Sequence, residues 1–264
     1  MVELVQDAAA ITAAITEATK EAPVEIKTVA PSNNEVSLPG GYITQEGTLV
    51  KYAEVRELNG ADEEAIAKAG SLNRTLTTIL QRGLVSLGDT PVTKEAYDEL
   101  LSGDRDAILL GIRKVTFGPT VDYSLNCSSC GKNSIVTIDL DKDIPVKELL
   151  NPIQDRKWNV ELRSGTALVT LPNGRVQTAL MDNSDKTTAE LNTLILEHCV
   201  LGVNGKGSLG APTVLKLGMA DRETIISEVL SKTPGPSLGD VMKACEACGE
   251  DNNTPISLVA LFRL

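Results

Sequence analysis

The sequence of 264 residues is poor in aromatic side chains: phenylalanine, tryptophan and tyrosine together make up 3% of it. Proteins that read RNA or single strands stack the bases on such side chains, so the usual residues for this recognition are missing. No run of lysine or arginine is present either, and the formal net charge is −11. Because an acidic surface repels a phosphate backbone, we expect no nucleic acid as a partner.

Long apolar runs are also missing from the sequence. No stretch approaches the eighteen consecutive apolar residues that a membrane span needs, so no membrane contact is expected. The first residues, Met1-Val2-Glu3-Leu4, lack the basic start and the apolar run of a signal peptide. We therefore expect an acidic, cytoplasm-made protein.

Residues that could assemble a catalytic site are scarce. His198 is the only histidine, and no acid and nucleophile in its neighbourhood in sequence would let it act as a general base. Cys199 beside it is interpreted as a small buried apolar residue. The glycine-rich stretch 202–208 lacks the spacing and the Ser or Thr of a phosphate-binding loop. We expect that the protein is not an enzyme.

Four of the five cysteines form two short pairs, each with the pattern C-x-x-C-G. The first pair is Cys127 and Cys130, and the second pair is Cys245 and Cys248. Four thiolates in two such pairs are the usual ligand set of a structural zinc ion. Redox activity is the weaker interpretation, because redox pairs begin a helix whereas a strand follows the first pair here. Reduced thiols without a metal stay a further alternative.

The two pairs lie far apart in sequence, and this distance leaves two arrangements open. One zinc ion within each chain would hold the carboxy-terminal segment beside the middle of the chain. The cost in loop-closure entropy grows only slowly with length, so the long separation does not forbid this. Alternatively, an ion shared between two subunits would join them. We favour one ion per chain, because each pair leads into a strand that can pair with the other.

The apolar and turn-forming patterns predict an α+β fold in which a block of helices is combined with short antiparallel strands. Residues 1–35 are predicted to form an extended amino-terminal arm, and residues 36–264 the body. Within the body, residues 121–140 and 240–264 are predicted to form a zinc-ribbon-like element around the four cysteines.

Individual elements follow from periodicity and capping residues. Helices are predicted at about 62–87, with Asp62 as the N-cap and breaks at Gly70 and Gly83, and at 93–101, 105–116, 187–201, 222–231 and 238–243. Strands are predicted on both sides of Glu46-Gly47 and at 121–125, 134–140, 158–162, 167–171 and 256–262. The dipeptide Asn173-Gly174 predicts a hairpin turn.

Three stretches and their order carry a resemblance to a known family. They are Leu38-Pro39-Gly40-Gly41 followed by a short hairpin, the segment 55–64 with the sequence VRELNGADEE, and Asp104-Arg105 through Ile112-Arg113 leading into Cys127-Ser128-Ser129-Cys130-Gly131. This order resembles the baseplate hub and hub-assembly proteins of T-even-like contractile-tailed bacteriophages. The resemblance covers about residues 36–200. The chain departs from the family pattern at Asn59-Gly60-Ala61, where a basic residue often stands.

The resemblance implies a component of the phage tail or baseplate, or a chaperone for its assembly, made in the host cytoplasm and placed in the virion. Its partners would then be other tail and baseplate proteins, and self-association stays open. The first alternative is a zinc-ribbon regulatory or nucleic-acid adaptor protein, against which the net charge and the scarcity of aromatic residues count. A thiol-redox protein is the second.

Overall fold

The computed structural model describes residues 26–27, 34–239 and 241–262. The predicted arm, residues 1–35, lies outside the described residues except at 26–27 and 34–35. The strands are Ile26–Lys27 (β1), Glu35–Ile43 (β2), Leu49–Val55 (β3), Leu84–Leu87 (β4), Thr90–Pro91 (β5), Thr120–Asn126 (β6), Asn133–Asp139 (β7), Val146–Lys147 (β8), Lys157–Leu162 (β9), Gly165–Thr170 (β10), Val200–Val203 (β11), Lys206–Gly207 (β12), Gly235–Pro236 (β13), Met242–Ala244 (β14) and Asp251–Asn253 (β15).

The α-helices of the described part lie between groups of these strands, and a short 3₁₀ helix, Gln154–Arg156, precedes β9. They are Gly60–Ala67 (α1), Leu72–Gly83 (α2), Lys94–Glu99 (α3), Ser102–Phe117 (α4), Gly174–Asp182 (α5), Thr188–Cys199 (α6), Ala211–Val214 (α7), Met219–Lys232 (α8) and Leu258–Leu261 (α9). The predicted α+β class with short antiparallel strands is confirmed.

The first sheet is organised around β3. This strand pairs antiparallel with β2 and β4 and parallel with β1, and β5 continues the sheet beyond β4. Its apolar residues pack with α2 and α4 into the larger core, which contains Ala53, Ile79 and Ile112. The same core includes Ile138 from β7 and Leu261 from α9. The end of the described chain is therefore buried together with its middle.

The second sheet has the antiparallel order β12-β11-β10-β9. It packs with α6 and α8 around a smaller core of its own, in which Val169, Leu196 and Ile225 are fully buried. Asp221 lies in the first turn of α8. Its carboxylate accepts hydrogen bonds from the backbone N–H groups of Arg163 and Ser164 and from the Ser164 hydroxyl, so it holds the turn between β9 and β10.

Several predicted elements are confirmed and others are wrong. The helix predicted at 62–87 is divided into α1 and α2 at Gly70, as predicted, but Asn59 rather than Asp62 is its N-cap. Asn173 does not form a hairpin turn: its side chain accepts from the backbone N–H groups of Arg175 and Val176 and begins α5. The strand predicted at 256–262 is replaced by a helical turn, α9. In place of the helix predicted at 238–243, the described residues form a turn at Leu238-Gly239 and then β14 from Met242.

Gly40 in β2 lies where three parts of the chain meet. Its N–H donates to Asp104 Oδ1 at 2.7 Å, and the Arg156 guanidinium donates to its carbonyl oxygen at 3.2 Å. A Cβ atom at Gly40 would lie 2.4 Å from Leu101 Cδ1. The second glycine of the Leu-Pro-Gly-Gly motif, Gly41, has a φ of 73°. Close packing thus requires the first glycine, and left-handed backbone favours the second.

The buried carboxyl of Asp104 predicts a pH dependence of stability. Burial raises its pKa to about 6, against the lowering effects of the Gly40 N–H and the Arg156 charge. The folded state therefore holds the proton more tightly than the unfolded chain, and stability falls as the pH rises from about 4 through 6. Between pH 5 and pH 7 this group alone lowers the free energy of unfolding by about 1 kcal/mol.

The variant Asp104→Asn keeps an oxygen for the Gly40 N–H and cannot titrate. We expect its loss of stability between pH 5 and pH 7, measured by urea unfolding, to be about 1 kcal/mol smaller than that of the parent. The exposed Glu57→Gln serves as the control and should leave the difference unchanged. Burial also raises the pKa of Asp106 to about 6, so part of the dependence should persist. Equal pH dependence in Asp104→Asn and the parent contradicts the prediction.

Candidate metal centre

The first cysteine pair lies in the turn between β6 and β7, as predicted. The N–H of Cys127 donates to the carbonyl of Lys132 at 3.0 Å, and the N–H of Gly131 donates back to the carbonyl of Cys127 at 3.0 Å. Gly131 has a φ of 69°. A Cβ atom there would contact nothing within 4 Å. Glycine is therefore favoured at this position by the left-handed backbone conformation and not by close packing.

The second pair repeats this geometry between β14 and β15. The N–H of Cys245 donates to the carbonyl of Glu250 at 2.8 Å, and the N–H of Gly249 donates to the carbonyl of Cys245 at 2.7 Å. Gly249 has a φ of 78°, and a Cβ atom there would also meet nothing within 4 Å. The pattern C-x-x-C-G therefore forms the same local turn at both places, which explains why the sequence repeats it.

The two turns face each other within one chain. The sulfur atoms of Cys127, Cys130, Cys245 and Cys248 all lie within 4.8 Å of one another. The Sγ atoms of Cys127 and Cys248 are 3.6 Å apart, and those of Cys130 and Cys245 are 3.8 Å apart. These separations are close to the edge of about 3.8 Å that a tetrahedron with metal–sulfur bonds of about 2.3 Å has. The cluster is therefore able to bind a metal ion.

The cysteines are not paired as disulfides, in which two sulfur atoms would be about 2 Å apart. Cys127 and Cys245 are buried, whereas Cys130 and Cys248 are exposed, so the cluster lies at the surface of the protein. In each turn the buried cysteine is the first one, which directly follows its strand. Each turn thus contributes one buried and one exposed sulfur to the site.

The charge state of the four thiols depends on what they bind. The backbone N–H groups of Cys130 and Ser129 donate to the sulfur of Cys127, and together with hydrogen bonds from the thiols of Cys248 and Cys130 they lower its pKa to about 6 despite burial. At Cys248 the Glu250 N–H lowers the pKa, but the neighbouring sulfurs outweigh it and raise the pKa to about 12. Thiolates this close repel one another, so four of them coexist only around a cation.

Asn252 joins the two turns, and sequence reasoning missed it. This buried residue of β15 accepts hydrogen bonds at Oδ1 from the N–H and the hydroxyl of Ser128, both at 3.0 Å. Its amide nitrogen donates to the carbonyl of Glu250 at 2.8 Å and to the sulfur of Cys127 at 3.6 Å. Nothing in the sequence distinguishes it from its neighbour Asn253, because its partner lies 124 positions away.

The variant Asn252→Ala is expected to weaken metal binding by ten- to a hundredfold, as is usual when a hydrogen bond behind a metal ligand is lost. It should also lower the free energy of unfolding by about 1–3 kcal/mol, because the Ser128 N–H loses its partner. Competition with a chromophoric chelator measures the first effect. Asn253→Ala, at the exposed position next to it, is the matched control and should behave like the parent.

A second contact holds β14 against the middle of the chain. The ammonium group of Lys243 forms an ion pair with Asp143, in the segment that follows β7. Burial raises the pKa of Asp143, but the hydrogen bonds from Lys243 and from the Asp139 N–H, together with the charge of Lys243, outweigh it, and the net shift is downward. The other Asp143 interaction is a hydrogen bond from the N–H of Asp139. Asp143 therefore links β14 to the end of β7.

The remaining residues singled out in the sequence do not join the cysteine cluster. His198 lies in the last turn of α6. Cys199 is fully buried in the smaller core, and burial raises the pKa of its thiol to about 12, which confirms its apolar role. The glycine-rich stretch lies in the hairpin that β11 and β12 form around Asn204 and Gly205.

Comparison with known proteins gives one finding. The model of a protein family described as "T4 bacteriophage base plate protein" matches residues 50–191, which is more than half of the chain. The matched region contains the first cysteine pair, and the second pair lies beyond its end. No curated protein and no solved structure matches the chain. Within the described residues, none of the helices combines the length and the apolar character that crossing a membrane requires.

Proposed function

Because the chain belongs to the T4 bacteriophage base plate protein family, we propose that it is a structural component of the baseplate hub that acts through protein–protein contacts. Membership in this family implies a place in the tail of the virion and contacts with other tail and baseplate proteins. The family match is the single observation that carries the proposal. The acidic chain, with a net charge of −11, suits a basic neighbour in the assembly.

The second part of the proposal is that the chain binds one zinc ion through Cys127, Cys130, Cys245 and Cys248. Tetrahedral sets of four sulfur atoms bind zinc or iron, and zinc is the usual ion in two turns of this kind. Bound zinc would compensate the charge of the four thiolates. With four protein ligands no position stays open for water or substrate, so the ion would be structural and not catalytic.

The proposal needs no catalytic group, and it includes that the protein is not an enzyme. It also includes that nucleic acid is not the partner, in contrast to a zinc-ribbon adaptor protein. Binding of an adaptor to DNA or RNA would depend steeply on salt, because the contact releases counterions. We expect no binding to either polymer at 50 mM or at 200 mM salt, measured by fluorescence anisotropy. Binding that is strong at the lower concentration alone would favour the adaptor.

The experiment that tests the function is a nonsense mutation of this chain in the phage that encodes it. We expect infected cells to accumulate filled heads without functional tails, because a missing baseplate component stops tail assembly. Quantitative mass spectrometry of purified wild-type particles should find the chain at a fixed copy number. Its presence on assembly intermediates but not on particles would make it an assembly chaperone. Normal tails in the mutant would overturn the proposal.

A further inference from the structure

Strand β9, Lys157–Leu162, forms one edge of the second sheet. It pairs with β10 on one side, and no strand of the described residues pairs with it on the other. Outside the β9–β10 ladder, no hydrogen bond joins its backbone to another backbone group in the described part of the chain. An unpaired strand edge is a ready template for a strand of another chain.

The direction of the free backbone groups of β9 follows from Thr166 in β10. Its N–H donates to Asn204 Oδ1 at 2.9 Å, and its carbonyl accepts from the Asn204 N–H at 2.8 Å, so both groups point away from β9. Facing residues of an antiparallel pair exchange both hydrogen bonds or none. Glu161 faces Thr166 and therefore directs both of its backbone groups to the open edge. The period of two in a strand gives the same direction to Asn159 and Lys157.

The side chains of these three residues lie on the exposed face of β9. Lys157 carries a positive charge, Glu161 carries a negative charge, and Asn159 lies midway between them. Within residues 26–27, 34–239 and 241–262, neither charged side chain forms an ion pair, and Glu161 accepts one long hydrogen bond from the Thr166 hydroxyl at 3.4 Å. A copy of this strand that runs in the opposite direction would place each charge opposite its counterpart.

We propose that β9 pairs antiparallel with β9 of a second copy of this chain, about a two-fold axis at Asn159. In this register Lys157 of each copy faces Glu161 of the other. The three facing pairs on this face exchange two backbone hydrogen bonds each, because their N–H and carbonyl groups already point to the edge. On the other face Trp158 of each copy faces Val160 of the other. Facing pairs of opposite charge, and of an aromatic with a β-branched residue, both stabilise antiparallel strands.

The order of the charges selects a second copy as the occupant of this edge. A contact with two-fold symmetry requires a surface that is complementary to itself. The register centred on Asn159 satisfies this, whereas a shift by two residues in either direction leaves no lysine opposite a glutamate. Lysines alone on the edge would oppose the pairing, because like charges that face each other are destabilising.

The pairing is weak in dilute solution. A single strand of six residues is small beside the interface of about 1,000 Å² that a stable complex needs. The net charge of −11 also opposes the approach of two copies, although ions screen this repulsion beyond about 8 Å at physiological salt. We therefore expect monomers in dilute solution and paired chains in concentrated solution.

The test uses Asn159→Cys in the full chain. Facing residues of a hydrogen-bonded pair have Cα atoms about 5.5 Å apart, which a disulfide can span. Mild oxidation in concentrated solution should therefore give dimers linked between the two residues 159, identified by mass spectrometry. The control is Leu168→Cys, at the 40% exposed position of β10 that faces Asn159, which lies too far from the axis to link. No link at 159, or equal yields in the two variants, would overturn the proposal.

Charge reversal tests the register itself. In Asn159→Cys protein, Lys157→Glu and Glu161→Lys should each lower the yield of linked dimer about tenfold, because two facing pairs change from attraction to repulsion. The double reversal should restore the yield, and a mixture of the two single reversals should link unlike chains. Unchanged yields in the single reversals, or no recovery in the double reversal, would overturn the proposal. The experiment uses the purified chain, so its failure would leave the proposed function intact.

Discussion

Replacing Cys245 with serine is expected to abolish metal binding and to release the carboxy-terminal segment from the middle of the chain. Cys245 is buried and is the first ligand of the second turn. Structural zinc contributes about 10–16 kcal/mol of apparent binding free energy in zinc-finger peptides at neutral pH. The free energy of unfolding of a whole domain is about 5–15 kcal/mol, so the free energy lost with the ion is comparable with the stability of the fold.

The measurement is the metal content of purified protein together with limited proteolysis. The parent should carry one zinc per chain and resist cleavage after residue 240, whereas Cys245→Ser should lack the metal and lose its carboxy-terminal segment rapidly. Cys199→Ala is the matched control: it removes a buried cysteine outside the cluster, so the metal should stay at one per chain. Full metal content and unchanged proteolysis in Cys245→Ser contradict the prediction.

Replacing Arg113 with leucine is expected to lower the free energy of unfolding by about 3–5 kcal/mol, because three carbonyl groups lose their donor and each buried group left without a partner costs about 1–3 kcal/mol. Arg113 is 1% exposed and lies in α4. Its guanidinium donates to the carbonyl of Leu261 at 2.6 Å, to that of Gly118 at 2.9 Å and to that of Thr120 at 3.3 Å. Leucine fills part of the volume but leaves these carbonyl groups without a donor.

Urea unfolding of the variant measures this loss. Arg113→Lys should have a free energy of unfolding between those of Arg113→Leu and the parent, because an ammonium group keeps the charge but cannot reach several carbonyls at once. Arg74→Leu, an exposed position on α2, should change the free energy of unfolding by no more than about 0.5 kcal/mol. A loss below 1 kcal/mol in Arg113→Leu would show that the arginine does not hold the end of the chain.

Local patterns in the sequence were sufficient to predict the turns that carry the cysteines. The C-x-x-C-G pattern specifies a turn whose hydrogen bonds run within six residues, so neighbours in sequence determine it. The strands on both sides of the first turn followed from alternation, and their register from 120 to 139 is regular. The convergence of the two turns was predicted from the coordination that a metal needs and not from periodicity.

Two wrong predictions show which elements local sequence patterns do not determine. The apolar run 256–262 was predicted as a strand, but an apolar run this short fits a buried helical turn equally well. It forms α9, which places Leu261 and Phe262 in the larger core. Asn173 was predicted to form a hairpin turn. An asparagine side chain that accepts hydrogen bonds from nearby backbone N–H groups is as common at the start of a helix as in a turn, and here it caps α5.

The residues that join the carboxy-terminal segment to the middle of the chain could not be predicted from the sequence at all. Asn252 and Arg113 have partners 124 and 148 positions away, and no spacing rule connects such positions. Each residue alone has an ordinary interpretation, an asparagine at a strand and an arginine on a helix. Their roles can be recognised only in the folded structure, in which the first sheet, α4 and the carboxy-terminal segment pack into one core.

Native mass spectrometry of the intact chain, before and after treatment with a zinc chelator, tests most directly that one chain holds one ion between its two cysteine pairs. We predict a monomer that carries one zinc. Removal of the ion should leave all four cluster cysteines open to alkylation and the segment after residue 240 open to protease. A folded, metal-free monomer with the same protease resistance, or zinc found only in dimers, would contradict this.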